Sequence, residues 1–275
     1  MLTMRPIGVF DSGFGGLTIL KEIQAKLPQY DYIYLGDNAR APYGTRSFET
    51  VYQYTLQCVK WFFEQGCPLV ILACNTASAK ALRTIQQNDL PVMGEAKRVL
   101  GIVRPTSEVV GNYSSNKKIG ILATKGTVLS NSYVIEINKF FPEVEVVQEA
   151  CPIWVPLVEY GEYKTAGADF FIKKHIEELF KKQRNIDTIL LACTHYPLLA
   201  KKIKEFVPVD VTILSQGAIV ANSLRDYLHR HKQMEESISK NEKTMFYTTD
   251  DVTNFNYQAE IFYGKHVAAQ QLHLS

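Results

Sequence analysis

Long apolar runs are missing from this 275-residue chain; none approaches the roughly 20 residues that a membrane-crossing helix needs, so no membrane partner is expected. An excess of one charge is missing too. Lys and Arg number 30 against 28 Asp and Glu, and the resulting +2 comes without the basic stripe that tracks a nucleic-acid backbone. Cysteine is sparse: Cys58, Cys67, Cys74, Cys151 and Cys193 make an odd set without C-x-x-C spacing. That argues against a disulfide framework and against structural zinc, and predicts free thiols in a reducing compartment. The opening MLTMRPIGVFDSG carries no apolar core of a secretion signal ahead of its first strand-like run, so the cytoplasm is the expected location. Phosphate-binding loops are also lacking. DSGFGGLT has glycines at 13, 15 and 16, but neither the spacing of a dinucleotide loop nor the lysine of a P-loop, so these glycines either cradle a carboxylate or allow a tight turn. Cys193-Thr194-His195 is too short to read alone as a zinc pair. Neither a metal nor an organic cofactor is expected.

What is present is alternation. Short β-branched runs at 7–10, 32–35, 69–73, 118–123, 144–148, 188–192, 211–214 and 245–248 are separated by segments of helical period. Leu17, Leu20, Ile23 and Leu27 form one stripe; Val51, Tyr54, Cys58 and Phe62 form another; Phe171, His175, Leu179 and Lys182 form a third, whose polar last member marks a helix end. This pattern predicts an α/β fold with mainly parallel strands.

The chain also repeats itself. IGVFDSG at 7–13 resembles IGILATKG at 119–126, and ILACNT at 71–76 resembles LLACTH at 190–195. Cys74 follows Gly8 by 66 residues, and Cys193 follows Gly120 by 73. Matching features in one order predict two similar doubly wound parallel-sheet domains related by pseudo-twofold symmetry, with a site in the cleft between them. The charged, Ser- and Asn-containing stretch 92–118 suits the crossing between domains, and 231–243 reads as a solvated loop. Residues 244–275 are expected to return to the first half. The domains are therefore drawn as 1–98 plus 213–275, and 99–212.

Ligands of open parallel sheets bind beyond the carboxyl ends of the strands. Those ends here carry Asp11 and Ser12, the run Asp37-Asn38 leading to Pro42, Tyr43 and Gly44, then Cys74-Asn75-Thr76, Thr124, and Cys193-Thr194-His195. A single buried cysteine is ordinarily a small hydrophobe, and Cys58, Cys67 and Cys151 are left as such. Cys74 and Cys193 differ, because each closes a buried strand before a helix start, where unpaired N–H groups are expected to lower a thiol pKa. Two thiols addressing one carbon from opposite sides suit removal of a proton from one face and delivery to the other. Acyl transfer needs only one cysteine and a base. Asn75, Thr76, Thr194 and Ser12 offer donors to a carboxylate, Gly44 permits close backbone approach, and Asp11 and His195 can assist the thiols. Two other readings stay open on the residues alone: a two-lobed amino-acid binding or regulatory protein without catalysis, and a cysteine hydrolase using Cys193.

FDSGFGGL, YLGDNARAPYG, ILACNTASA, CPIWVPLVEYG and LLACTHYPLL, in that order, resemble the aspartate/glutamate racemase family over most of the chain, and the glutamate racemases within it. The resemblance implies cofactor-independent interconversion of L- and D-glutamate, D-glutamate being destined for peptidoglycan, in a cytoplasmic homodimer. It implies Cys74 and Cys193 as the acid/base pair, Asp11 assisting Cys74, and His195 with Glu159 supporting Cys193. It further implies substrate contacts from Asp11, Ser12, Pro42, Tyr43, Gly44, Asn75, Thr76, Thr124, Thr194 and His195. Related aspartate racemases carry Cys-Thr-Glu where Cys193-Thr194-His195 stands, which favours glutamate over aspartate. One departure from the family pattern is a stretch, 94–100, read as an insertion before GIVRPT.

Overall fold

The computed structural model describes residues 5–274. Its strands are β1 (Ile7–Asp11), β2 (Tyr32–Gly36), β3 (Leu69–Leu72), β4 (Arg98–Gly101), β5 (Lys118–Ala123), β6 (Glu145–Ala150), β7 (Thr188–Ala192), β8 (Thr212–Leu214), β9 (Thr244–Thr248) and β10 (Ala269–Gln271). They form two sheets in the orders β10-β9-β2-β1-β3-β4 and β6-β5-β7-β8, with every pairing parallel. The α/β class with two parallel sheets is therefore present as expected. Each of the eight strand-like runs forms a strand, because β-branched and leucine side chains buried on both faces of a helix-covered sheet need no alternation.

The two sheets share a core order. β2-β1-β3-β4 in the first matches β6-β5-β7-β8 in the second, and the first adds β9 and β10 beyond β2. The C-terminal return is direct: β9 lies parallel to β2, with Tyr34 opposite Phe246. The helix Val252–Tyr263 then packs on the helix Leu17–Lys26.

The repeated Ile-Gly has a packing cause. Gly8 sits mid-strand in β1, where an added Cβ would lie 2.7 Å from Phe62 Cδ1; Phe62 comes from the helix Phe48–Glu64 that leads into β3. Gly120 holds the same place in β5, where a Cβ would lie 2.7 Å from Leu179 Cδ2, on the helix Ala166–Lys182 that leads into β7. Each glycine admits a large side chain from the helix preceding the partner strand, and so seats that helix close on the sheet.

Three segments differ from expectation. The stretch read as an interdomain crossing contains β4, a short edge strand in which only Val99 is buried, followed by the helix Val103–Ser107. Its exposed Arg98 and intermediate burial hide the strand from a hydrophobicity reading. Leu100, within the apparent insertion, pairs with Ile71 of β3. The segment read as a loop includes the short helix Lys232–Ser237, which has no buried face. β10 also escapes a sequence reading, having three residues and no β-branched one. Among the described residues no helix is long and apolar enough to cross a membrane.

Gly8→Ala and Gly120→Ala force Phe62 and Leu179 outward, and each is expected to lower unfolding free energy by about 1–3 kcal/mol, the usual cost of overpacking a filled core. Urea unfolding of the two variants measures this, and an unchanged midpoint contradicts the packing account.

Candidate active site

In each sheet the strand order doubles back between the middle two strands of the shared four-strand core, β1 and β3 in one and β5 and β7 in the other. Such switch points leave a crevice beyond the strand ends. The residues just past those ends line one shared cleft: Ser12 and Gly13 after β1, Cys74-Asn75-Thr76 after β3, Thr124 and Lys125 after β5, and Cys193-Thr194-His195 after β7. Pro42, Tyr43 and Gly44 close one side, and Pro152, Val155, Pro156 and Glu159 the other. The cleft holds about 140 Å³ of water-accessible space, well under the roughly 300–1,000 Å³ of drug-sized pockets, so it suits a metabolite of a few heavy atoms.

Cys74 is the N-cap of the helix Asn75–Lys80. Its Sγ lies 3.4 Å from Ser12 Oγ and accepts the Ala77 N–H at 3.4 Å. The helix-start contact expected from the sequence is there, but the expected fall in thiol pKa is not. Burial, joined by the nearby Asp11 charge, pushes the Cys74 thiol up to about 12, against the pull of Ser12 and the Ala77 N–H. Two weak hydrogen bonds at the start of a six-residue helix do not offset burial that leaves Cys74 only 5% exposed.

Asp11 lies just behind the cleft wall. Its Oδ1 accepts the Gly13 N–H at 2.8 Å, and its Oδ2 accepts from the Thr194 hydroxyl at 3.3 Å, a bond between the two lobes. Burial raises its pKa against the opposing pull of His195 and of the Gly13 and Gly16 N–H groups.

Cys193 faces the same cleft with different support. His195 Nδ1 is 4.0 Å from Cys193 Sγ, while Nε2 is 2.8 Å from Glu159 Oε1. The ring stands edge-on to Phe262, with centroids 5.1 Å apart. Burial works against a charged imidazole, but the contacts with Cys193 and Glu159 prevail and raise the His195 pKa to about 10. Glu159 comes from the helix Trp154–Glu159, in the CPIWVPLVEYG run.

Other expected contacts take unexpected forms. Tyr43 is buried, and its phenol donates to Asp37 Oδ2, so its side chain braces the wall from behind. Asp37 in turn is held by Arg40 and by the Thr249 hydroxyl. Gly44 permits a close approach, though to the other lobe: a Cβ there would stand 2.9 Å from Thr124 Cβ. Gly15 likewise lets the first lobe meet Thr194 and His195, which a Cβ would strike. Thr76 and Thr124 bridge the lobes, hydroxyl to hydroxyl, at 2.9 Å. The amide of Asn75 is engaged by two residues that sequence reasoning does not reach, Gln216 and Tyr133. Gln216 directly follows the β8 region, so its strand-end position was the one available signal. Among the described residues no group of three His, Cys, Asp or Glu stands ready to hold a metal ion.

His195 is expected to stay protonated through neutral pH and to lose its proton near pH 10. Because its folded pKa lies above the ordinary 6.5, its contribution to stability is complete below about pH 6.5 and fades as pH rises through about 10. Glu159→Gln removes one source of the shift and moves the titration downward. Imidazole NMR titration of the wild type and variant checks both statements; identical curves contradict the assigned cause.

Comparison with known proteins adds the following. A model of the Asp/Glu/hydantoin racemase family matches residues 17–224. The chain is 36% identical over 271 residues to the glutamate racemase of Sulfurihydrogenibium sp., covering 98% of each chain. Among solved structures it resembles glutamate racemase isoform RacE1 of Bacillus anthracis, with a TM-score of 0.89, 33% identity, and coverage of 99% of this chain and 98% of that one. It also resembles the Francisella tularensis glutamate racemase in complex with D-glutamate, with a TM-score of 0.87, 32% identity and 99% of each chain covered.

Proposed function

The chain belongs to the Asp/Glu/hydantoin racemase family, and from that premise we propose that it interconverts L- and D-glutamate by proton transfer between two cysteines. One observation carries the reading: Cys74 and Cys193, each just past the matching strand of its own sheet (β3 and β7), line a single small cleft.

The chemistry follows from that placement. A thiolate on one side takes the Cα proton, breaking C–H and forming S–H, and the electron pair spreads into the α-carboxylate. The opposing thiol delivers its proton to the other face, breaking S–H and forming C–H. Configuration inverts, no proton is consumed, and the two sulfurs exchange protonation states. The reading assigns no cofactor to the reaction.

Asp11, behind the cleft wall near Cys74, assists that thiol. His195, paired with Glu159, is poised 4.0 Å from Cys193 Sγ to hand over or take back its proton. The polar groups of Ser12, Asn75, Thr76, Thr124 and Thr194, with the backbone of Pro42, Tyr43 and Gly44, supply the binding surface, and the charged form of His195 favours an anionic ligand. Glutamate is preferred over aspartate by the likeness to glutamate racemases. The D-glutamate formed serves peptidoglycan synthesis.

All five cysteines are free thiols, which supports a reducing, cytoplasmic setting. The homodimer expected from the family resemblance is part of the same reading. The expected domains, 1–98 plus 213–275 and 99–212, are kept in this reading with both boundaries moved so that no strand is cut: β4 through Gly101 goes with the first unit and β8 through Leu214 with the second.

Incubation with either enantiomer of glutamate in deuterium oxide, without added cofactor, should give Cα deuterium uptake and loss of optical rotation, and aspartate should give less. Cys74→Ala and Cys193→Ala should each lower racemisation by at least about 100-fold. Binding of glutamate without exchange would select a non-catalytic receptor instead, and full activity in either cysteine variant would sink the two-thiol scheme.

A further inference from the structure

Behind the cleft, three buried side chains close a ring of hydrogen bonds. Asn75 Nδ2 donates to Gln216 Oε1 at 2.8 Å, Gln216 Nε2 donates to Tyr133 Oη at 2.6 Å, and the Tyr133 hydroxyl donates to Asn75 Oδ1 at 2.5 Å. Each member gives one proton and receives one, so the direction around the ring is fixed. Gln216 Nε2 also donates to Thr106 Oγ1 at 2.9 Å, and Thr106 passes its own proton to the Ile102 carbonyl at 2.8 Å. Asn75, Thr106, Tyr133 and Gln216 are all at most 3% exposed.

The members come from every part of the chain that joins the lobes. Asn75 follows Cys74 at the end of β3 and lines the cleft. Tyr133 lies on the helix Ser132–Phe140 after β5, in the second lobe. Thr106 belongs to the outward crossing, between β4 and β5, and Gln216 to the return crossing, at the start of the helix Gly217–Arg230. A closed ring of buried hydrogen bonds tolerates little displacement, because each opened bond leaves a buried polar group unpaired. Burial keeps the Tyr133 phenol protonated, so its role as donor does not lapse with pH.

We propose that the Asn75–Gln216–Tyr133 ring is the joint that sets the two lobes in register at the cleft, and that Gln216 and Tyr133 are positioning residues acting on the reaction through Asn75. The inference rests on the racemase reading given above. With one N–H and one lone pair of its amide taken by the ring, Asn75 has the remaining N–H and lone pair to present to the ligand in a single orientation. The same fixing holds the helix start that Cys74 caps against the second lobe. Misplacement of reacting groups by about 1 Å is enough to cost on the order of 100-fold in rate.

The test is a double-mutant cycle on racemisation of both glutamate enantiomers, with thermal unfolding recorded for every variant. Tyr133→Phe removes one hydroxyl at nearly constant volume and should lower kcat/KM about 10-fold; Gln216→Leu opens all four bonds of the Gln216 amide, the fourth to the Ile102 carbonyl, and should lower it about 100-fold. In an Asn75→Ala background the same changes should each cost less than about threefold, since the group they position is gone. If Gln216→Leu does not fold, the Tyr133→Phe cycle decides alone. Folded variants with kcat/KM within threefold of wild type overturn the proposal. So do losses that add in full to that of Asn75→Ala, which mark a structural role independent of it. A wild-type protein that exchanges no Cα proton defeats the racemase reading itself, a result distinct from either.

Discussion

Everything at this site depends on two crevices that parallel sheets cannot avoid making. Where strand order doubles back, the chain leaves two adjacent strands in opposite lateral directions, and the space beyond their ends stays open. One such opening holds a loop, a helix start and some unpaired backbone groups. Two of them, set against each other, hold a small enclosed volume addressed from both sides by residues of the same kind. Cys74 and Cys193 occupy matching places because β3 and β7 occupy matching places in their sheets. The repeated glycines belong to the same design, since Gly8 and Gly120 let the preceding helices settle close enough for β3 and β7 to be covered in the same way.

The symmetry stops at the ionisable neighbours. Cys74 has a hydroxyl, a backbone N–H and a carboxylate that lies behind the wall. Cys193 has a histidine, which is itself held by Glu159. The lobes are also sewn together across the site, by Thr194 to Asp11 and Thr76 to Thr124. Asp11 therefore has two tasks: it adds charge near Cys74 and it accepts a bond from the lobe that carries Cys193. A substitution at Asp11 removes both at once, so its effect cannot be assigned to proton transfer alone.

Much of this was legible in the sequence because it is local. Buried parallel strands write themselves as short β-branched runs, and a strand end with a cysteine is visible twice in one chain. The edge strand Arg98–Gly101 was not legible, since an edge strand with an exposed arginine carries little apolar signal. Tyr43 was correctly placed at the cleft, yet the direction of its phenol depends on Asp37, which in turn depends on Thr249 from the returning C-terminal segment. The partnership of Gln216 and Tyr133 with Asn75 was hidden for the same reason, although Gln216 stands near the end of β8. They meet Asn75 across 141 and 58 positions of chain, and nothing local says that either side chain turns toward it.

The sign of the Cys74 shift separates two kinds of cysteine chemistry. A nucleophilic cysteine gains from a depressed pKa, because attack requires the thiolate to be present in quantity. Helix starts favour that, and so the sequence suggests it. A cysteine that exchanges a proton with carbon faces a different demand, since the Cα–H of an amino acid is a far weaker acid than any thiol. Basicity then matters more than abundance: a thiolate formed where burial and the Asp11 charge oppose it is the stronger base, and its conjugate thiol is a stable proton reservoir until a carbanion stands beside it. Under the proposed mechanism, the burial that makes Cys74 a poor nucleophile is what fits it to this exchange. On the same scheme the two thiols line one small cleft, so the burial that raises the Cys74 pKa also leaves each face of the carbon to a single acid/base group, on which inversion depends.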